Sequence, residues 1–145
     1  MPLVDGDDAG NNKIQHLRGL EHGPAIVLQW RNGWTIEDAI GWVLKGHDAG
    51  VLGDLRSRID REFASIDELV TLFKVKTGPG RLKTDYLAFE AVAAVIGSQA
   101  ACRERALALL EAVTRACLGQ QDGCALLERD AANSDEQCVV LRLSP

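Results

Sequence analysis

Between Tyr86 and Cys102 the chain carries one charged side chain, Glu90. A helix that is apolar nearly all round needs neighbours over most of its circumference. The segment therefore predicts a central buried helix, and the rest of the chain must supply its cover. Thr84 or Asp85 is placed to cap its start. Gly97-Ser98 breaks or kinks it, and Ser98 then caps a following helix. In that helix Cys102, Ala106, Leu109, Leu110, Val113 and Cys117 share one stripe, with Glu104, Glu111 and Arg115 opposite and Gly119 as the stop.

Covering helices are expected upstream. Thr35, with Asp38 three residues on, starts a helix whose Ile36, Ala39, Ile40, Val43 and Leu44 share a face and which ends near Gly46. After a glycine-rich bend, Asp54 is expected to cap a helix through Phe63, with Leu55, Ile59 and Phe63 at helical spacing. Ser65 and Glu68 form a capping box for a helix over 66–76, which the Gly-Pro-Gly turn stops.

Elsewhere the period changes. Residues 25–30, AIVLQW, read as a buried strand bounded by Pro24 and Asn32-Gly33. The tail runs CALLERD and QCVVLRL flank a polar AANSDE segment, the pattern of an antiparallel hairpin. Residues 1–24 read as an acidic, loosely ordered leader, with Ile14, Leu17 and Leu20 available for one helical turn. The expected fold is a mainly helical α+β domain over 25–145, with four or five helices and a small antiparallel sheet of two or three strands.

The chain has 145 residues, 16 of them Lys or Arg and 21 Asp or Glu, for a net charge of −5. Phosphate backbones select basic surfaces, so acidity lowers the expectation of nucleic acid and raises that of a protein with a basic face. The longest apolar run, Ala91 to Ile96, is far short of the ~20 residues a membrane span needs. Asp5, Asp7 and Asp8 precede any apolar stretch, unlike a secretory signal, so a cytoplasmic location is expected and Cys102, Cys117, Cys124 and Cys138 read as thiols. The Ala-, Gly- and Arg-rich style suits a bacterial or phage protein.

Candidate chemistries are few. The cysteines lack the close pairing of a zinc site, and His16, His22 and His47 are scattered, so no metal or other cofactor is expected. A Cys124 nucleophile with a base from His47 beside Asp48 would need contacts that no motif supplies. Glu90, on a helix expected to be buried, calls for a cation such as Arg81 or Lys83. Lys74, Lys76, Arg81 and Lys83 surround a Gly-Pro-Gly turn that could contact an anion or nucleic acid, although it has no P-loop order and no aromatic to stack on bases. Arg56, Arg58 and Arg61 are interleaved with Asp54, Asp60 and Glu62, which would oppose phosphate.

Trp30, Trp34 and Trp42 lie within 13 residues and read as an aromatic corner or a contact patch. The functional expectation is a non-enzymatic, cofactor-free, acidic protein-binding module of inhibitor, antitoxin, immunity or anti-defence type. It would cover a basic site on a larger protein through Trp34, Trp42, Asp122, Asp130, Asp135 and Glu136, helped by Asp5, Asp7 and Asp8. The alternative is a nucleic-acid-associated regulator using residues 74–83, and an enzyme of unknown type stands third.

Overall fold

The computed structural model describes residues 1–24, 26–31, 33–45, 49–75, 77, 82–120, 122–129 and 138–141. The chain divides into two compact units, Met1–Ala39 with Ala108–Pro145, and Ile40–Leu107. The helices α2 (Ile36–Leu44) and α6 (Ala100–Cys117) contribute residues to both.

The first unit is built on a sheet. Its strands are β1 (Leu3–Val4), β2 (Val27–Trp30), β3 (Leu127–Arg129) and β4 (Cys138–Leu141), in the order β1-β2-β4-β3. β2 runs parallel to both of its neighbours, with Val4 beside Gln29 and Trp30 beside Leu141, and β3 pairs antiparallel with β4. This corrects the expectation of a small antiparallel sheet. Antiparallel pairing between strands close in sequence is the easier inference, because parallel pairing needs a crossover that returns the chain in the same direction. Here α1 (Asp8–Arg18) lies between β1 and β2, and the other five helices of the described residues lie between β2 and β4. Among the described residues there are six helices, against the four or five expected.

The β1 and α1 elements fall in the stretch read as a leader. Val4 and Ile14 are buried with Val27, and Leu17 packs against them. All four β2 residues are buried, as suits a central strand with parallel neighbours. The polar one, Gln29, donates from Nε2 to Asn11 Oδ1 at 2.8 Å and to the Asp5 carbonyl at 3.3 Å, so its burial leaves no stranded amide there.

The second unit is helical. α3 (Ala49–Arg58) starts five residues before Asp54 and ends before Phe63. The glycines read as a bend are helical in part, and Leu55, Ile59 and Phe63 are all buried although only Leu55 lies within the helix. α4 (Ile66–Lys74) begins at the expected cap: Glu68 N–H donates to Ser65 Oγ at 3.2 Å, and the Glu68 carboxylate accepts from Ala64 N–H at 2.6 Å. α5 (Tyr86–Ser98) is capped by Asp85, which accepts from Ala88 N–H at 3.2 Å. It breaks from α6 at Gln99, one residue after Ser98, and the Gln99 amide donates to Asp54 Oδ2 at 2.7 Å. The Phe73 and Phe89 rings meet at 4.7 Å between centroids, tilted by 40°.

Two helices differ from their sequence reading. α5 buries Ala88, Ala91, Val92 and Val95, yet Tyr86 is 78% and Leu87 72% exposed, and Glu90 lies in solvent. α6 buries Cys102, Ala112 and Ala116, while Leu107 and Leu110 point outward, so its buried face is rotated toward alanine. No helix among the described residues is long and apolar enough to cross a membrane.

Candidate functional site

In sheets with parallel strands, ligands settle beyond the carboxyl ends of the strands, where the loops leaving them converge. β1 and β2 end side by side, at Val4 and Trp30. The chain leaves β1 through Asp5-Gly6-Asp7-Asp8 and leaves β2 through Arg31 and Gly33 to Trp34 and Thr35. The two loops are tied together: Gly6 N–H donates to the Trp34 carbonyl at 2.6 Å, and Gly33 N–H to the Gly6 carbonyl at 2.7 Å.

Glycine is required at two places here, Gly6 in the loop after β1 and Gly10 in the first turn of α1. A Cβ at Gly6 would overlap the Arg31 carbonyl oxygen, and one at Gly10 would overlap the Asp5 carbonyl oxygen. The backbone is therefore packed against itself, which holds the aspartates in place. Asp7 is the N-cap of α1, its Oδ1 accepting from Gly10 N–H at 2.8 Å. Asp8 lies in the first turn, exposed, where a negative charge suits the helix dipole. Asp5 is half-buried. Arg31 lies over the Trp34 ring, 5.2 Å from its centroid. Asp7 and Asp8 at the N-terminus of α1, with Asp5 two residues before the cap, outnumber the Arg31 guanidinium and outweigh the positive end of the helix dipole, so the turn is net acidic and favours cationic groups.

Trp34 is half-buried beside this turn. Trp42 belongs to the other unit and is buried, with the Arg105 guanidinium 4.9 Å from its ring centroid and Arg105 Nη1 donating to its carbonyl at 2.7 Å. An indole so enclosed acts in packing rather than as a contact surface. Asp122 is exposed in the turn after α6, whereas Asp130, Asp135 and Glu136 lie outside the described residues. Of the basic residues, Lys74 is half-buried at the end of α4 and Lys83 is exposed before α5, while Lys76 and Arg81 lie outside the described residues, as do His47 and Asp48.

The thiols are free at Cys102, Cys117 and Cys124. Cys102 is fully buried, 3.8 Å from the Leu44 carbonyl, and burial pushes its thiol up from the ordinary 9.0 against the opposing pull of Arg105. That makes it inert rather than nucleophilic. Among the described residues, no three His, Cys, Asp or Glu side chains converge as a ligand set.

The residues that build the turn, Gly6, Gly10, Asn11 and Gln29, carry no separate signal in the sequence. The alternation of aspartate and glycine directly after an apolar pair is the available clue. Comparison with protein-family models, with curated proteins and with solved structures finds no match for this chain.

Proposed function

We propose that the chain is a protein-binding module that presents the acidic turn 5–8 to a basic site on a larger protein, in the manner of an inhibitor, antitoxin, immunity or anti-defence protein. One observation carries this reading: the turn at the carboxyl ends of parallel strands is locked by two cross-loop hydrogen bonds and by the obligatory Gly6, with Gly10 packed against it from the first turn of α1. A rigid turn presents its carboxylates without the ordering cost of a flexible acidic tail. The net charge of −5 favours the same class of partner. Asp122, Asp130, Asp135 and Glu136 are the further acidic contributors in this proposal.

A second reading takes the same turn to hold a hard divalent cation. Magnesium is commonly bound by only one or two carboxylates, with water and ligand phosphate completing the shell. Asp8 is exposed and meets no partner among the described residues, and Asp5 and Asp7 flank Gly6 beside it.

Titration with a lysine-rich peptide, and separately with magnesium and manganese chloride, distinguishes the two. The module reading expects peptide binding that weakens with salt and with Asp5→Asn/Asp8→Asn. Binding of metal alone, abolished by the same substitutions, overturns it in favour of the second. Indifference of both ligands to the double substitution removes the turn from either role.

A further inference from the structure

The segment joining α3 to α4 lines a cleft of about 520 Å³, within the size range of small-molecule sites. Its walls are Arg56, Arg61, Glu62, Phe63, Ala64 and Glu68, two cations and two anions beside an apolar patch. The four charged side chains are exposed, yet none forms an ion pair with another among the described residues.

A single peptide group keeps two of them apart. Arg56 Nε donates to the Phe63 carbonyl at 2.8 Å, and Glu68 Oε2 accepts from the Ala64 N–H at 2.6 Å. That carbonyl and that N–H belong to one trans peptide, so they point in opposite directions. The guanidinium and the carboxylate are thereby pinned on opposite sides of it, with Nε and Oε2 about 7 Å apart. The outer N–H groups of Arg56 and the second oxygen of Glu68 have no partner among the described residues. Arg61 donates from Nη1 to the Asp60 carbonyl at 2.7 Å, and Glu62 adds a second carboxylate.

We propose that this cleft binds a zwitterionic α-amino acid with an apolar side chain, its carboxylate on Arg56 and Arg61 and its ammonium on Glu68 and Glu62. The N–Cα–C skeleton of such a ligand puts about 2.5 Å between the ammonium nitrogen and the carboxylate carbon. With a hydrogen bond of about 2.8 Å at each end, it spans the gap that the peptide group imposes. A guanidinium fork matches the carboxylate, and Phe63 and Ala64 supply an apolar wall for the side chain. Glu62 and Glu68 repel a phosphate dianion, and Arg56 and Arg61 repel a simple amine. The interleaving of charge that disfavours phosphate thus selects a ligand carrying both signs. In an open cleft a ligand of this size binds at about 1 mM.

Titration of the isotope-labelled full chain with L-phenylalanine, hydrocinnamate and phenethylamine, followed by amide chemical shifts, tests the proposal. The probes share a ring and carry both charges, the negative one alone and the positive one alone. L-Phenylalanine should give saturable shifts centred on Phe63, Ala64 and Glu68, half-complete at about 1 mM. Each single-charge probe should bind about tenfold more weakly or worse, having lost a charged hydrogen-bonded contact. Arg56→Gln should weaken L-phenylalanine to a similar extent. Glu68→Gln keeps an acceptor for the cap, and should erase the advantage of L-phenylalanine over hydrocinnamate. Far-UV circular dichroism checks that the variants fold, and Arg61→Gln, which leaves both bonds to the 63–64 peptide in place, repeats the loss if Arg56→Gln does not. No saturation by L-phenylalanine up to about 20 mM overturns the proposal. So does a single-charge probe that binds as tightly, or an affinity indifferent to Glu68→Gln.

Discussion

Gly6 shows how much one absent methyl can decide. Its Cα faces the Arg31 and Trp30 carbonyls so closely that any side chain must push the β1 and β2 loops apart. Gly6→Ala should cost about 1–3 kcal/mol in urea denaturation, the usual range for overpacking. Gly53 is the internal comparison: it lies within α3, is exposed, and a Cβ there meets nothing. Gly53→Ala should stabilise by about 0.5–1 kcal/mol, because glycine gives up more backbone entropy in a helix.

Cys102 supplies a pH signature at the same scale. Its thiol is raised above the ordinary 9.0 by burial, so the folded chain keeps it neutral while the unfolded chain ionises it. Its contribution to stability is full below that ordinary value and is lost as pH rises from there through the raised value of the folded chain. Comparing wild type with Cys102→Ala at about pH 8 and about pH 10 should show a larger alkaline loss in the wild type. Iodoacetamide should modify exposed Cys117 well before Cys102 in the folded protein.

At the scale of elements, the caps of α2, α4 and α5 are where sequence and structure agree, whereas Asp54 and Ser98, also read as caps, lie inside α3 and at the last position of α5. Ser65→Ala and Glu68→Ala should each cost about 1 kcal/mol by thermal or chemical denaturation, since each removes a bond at the start of α4. Capping is legible because a short side chain and a backbone N–H three residues away need nothing from the rest of the fold. The same holds for Asp85 at α5, and for Asp38, which accepts from Thr35 N–H at 2.7 Å before α2. Helix faces are less legible. The leucines of α6 outweigh its alanines in any apolar count, yet Ala112 and Ala116 are buried and Leu110 is exposed. Close helix approach prefers small residues, and composition alone does not reveal how near the neighbouring elements come.

The sheet is the least legible element because strand direction is set by what lies between strands. β1 is two residues long, too short for periodicity to register, and its partner is more than twenty residues away. Without β1, the strand-end position of Asp5, Gly6, Asp7 and Asp8 is hidden as well. The aspartates then read as contributors from a loosely ordered leader rather than as residues held at strand ends. Trp42 shows the opposite error: clustering in sequence with Trp34 draws attention to an indole that the fold encloses against Arg105.

For the molecule as a whole, the central claim is that the acidic turn is the place where a cationic ligand binds. Surface charge in general would attract basic partners through a diffuse field and would not favour one turn. The most direct measurement is amide chemical-shift mapping of the isotope-labelled chain during titration with a lysine-rich peptide at two salt concentrations. Binding at the turn predicts saturable shifts centred on Asp5, Gly6, Asp8 and Asn11, with smaller ones at Gly33 and Trp34 carried through the cross-loop bonds. These shifts should shrink at the higher salt and vanish in Asp5→Asn/Asp8→Asn. Shifts spread evenly over acidic residues elsewhere, or a response unchanged by the double substitution, would contradict it.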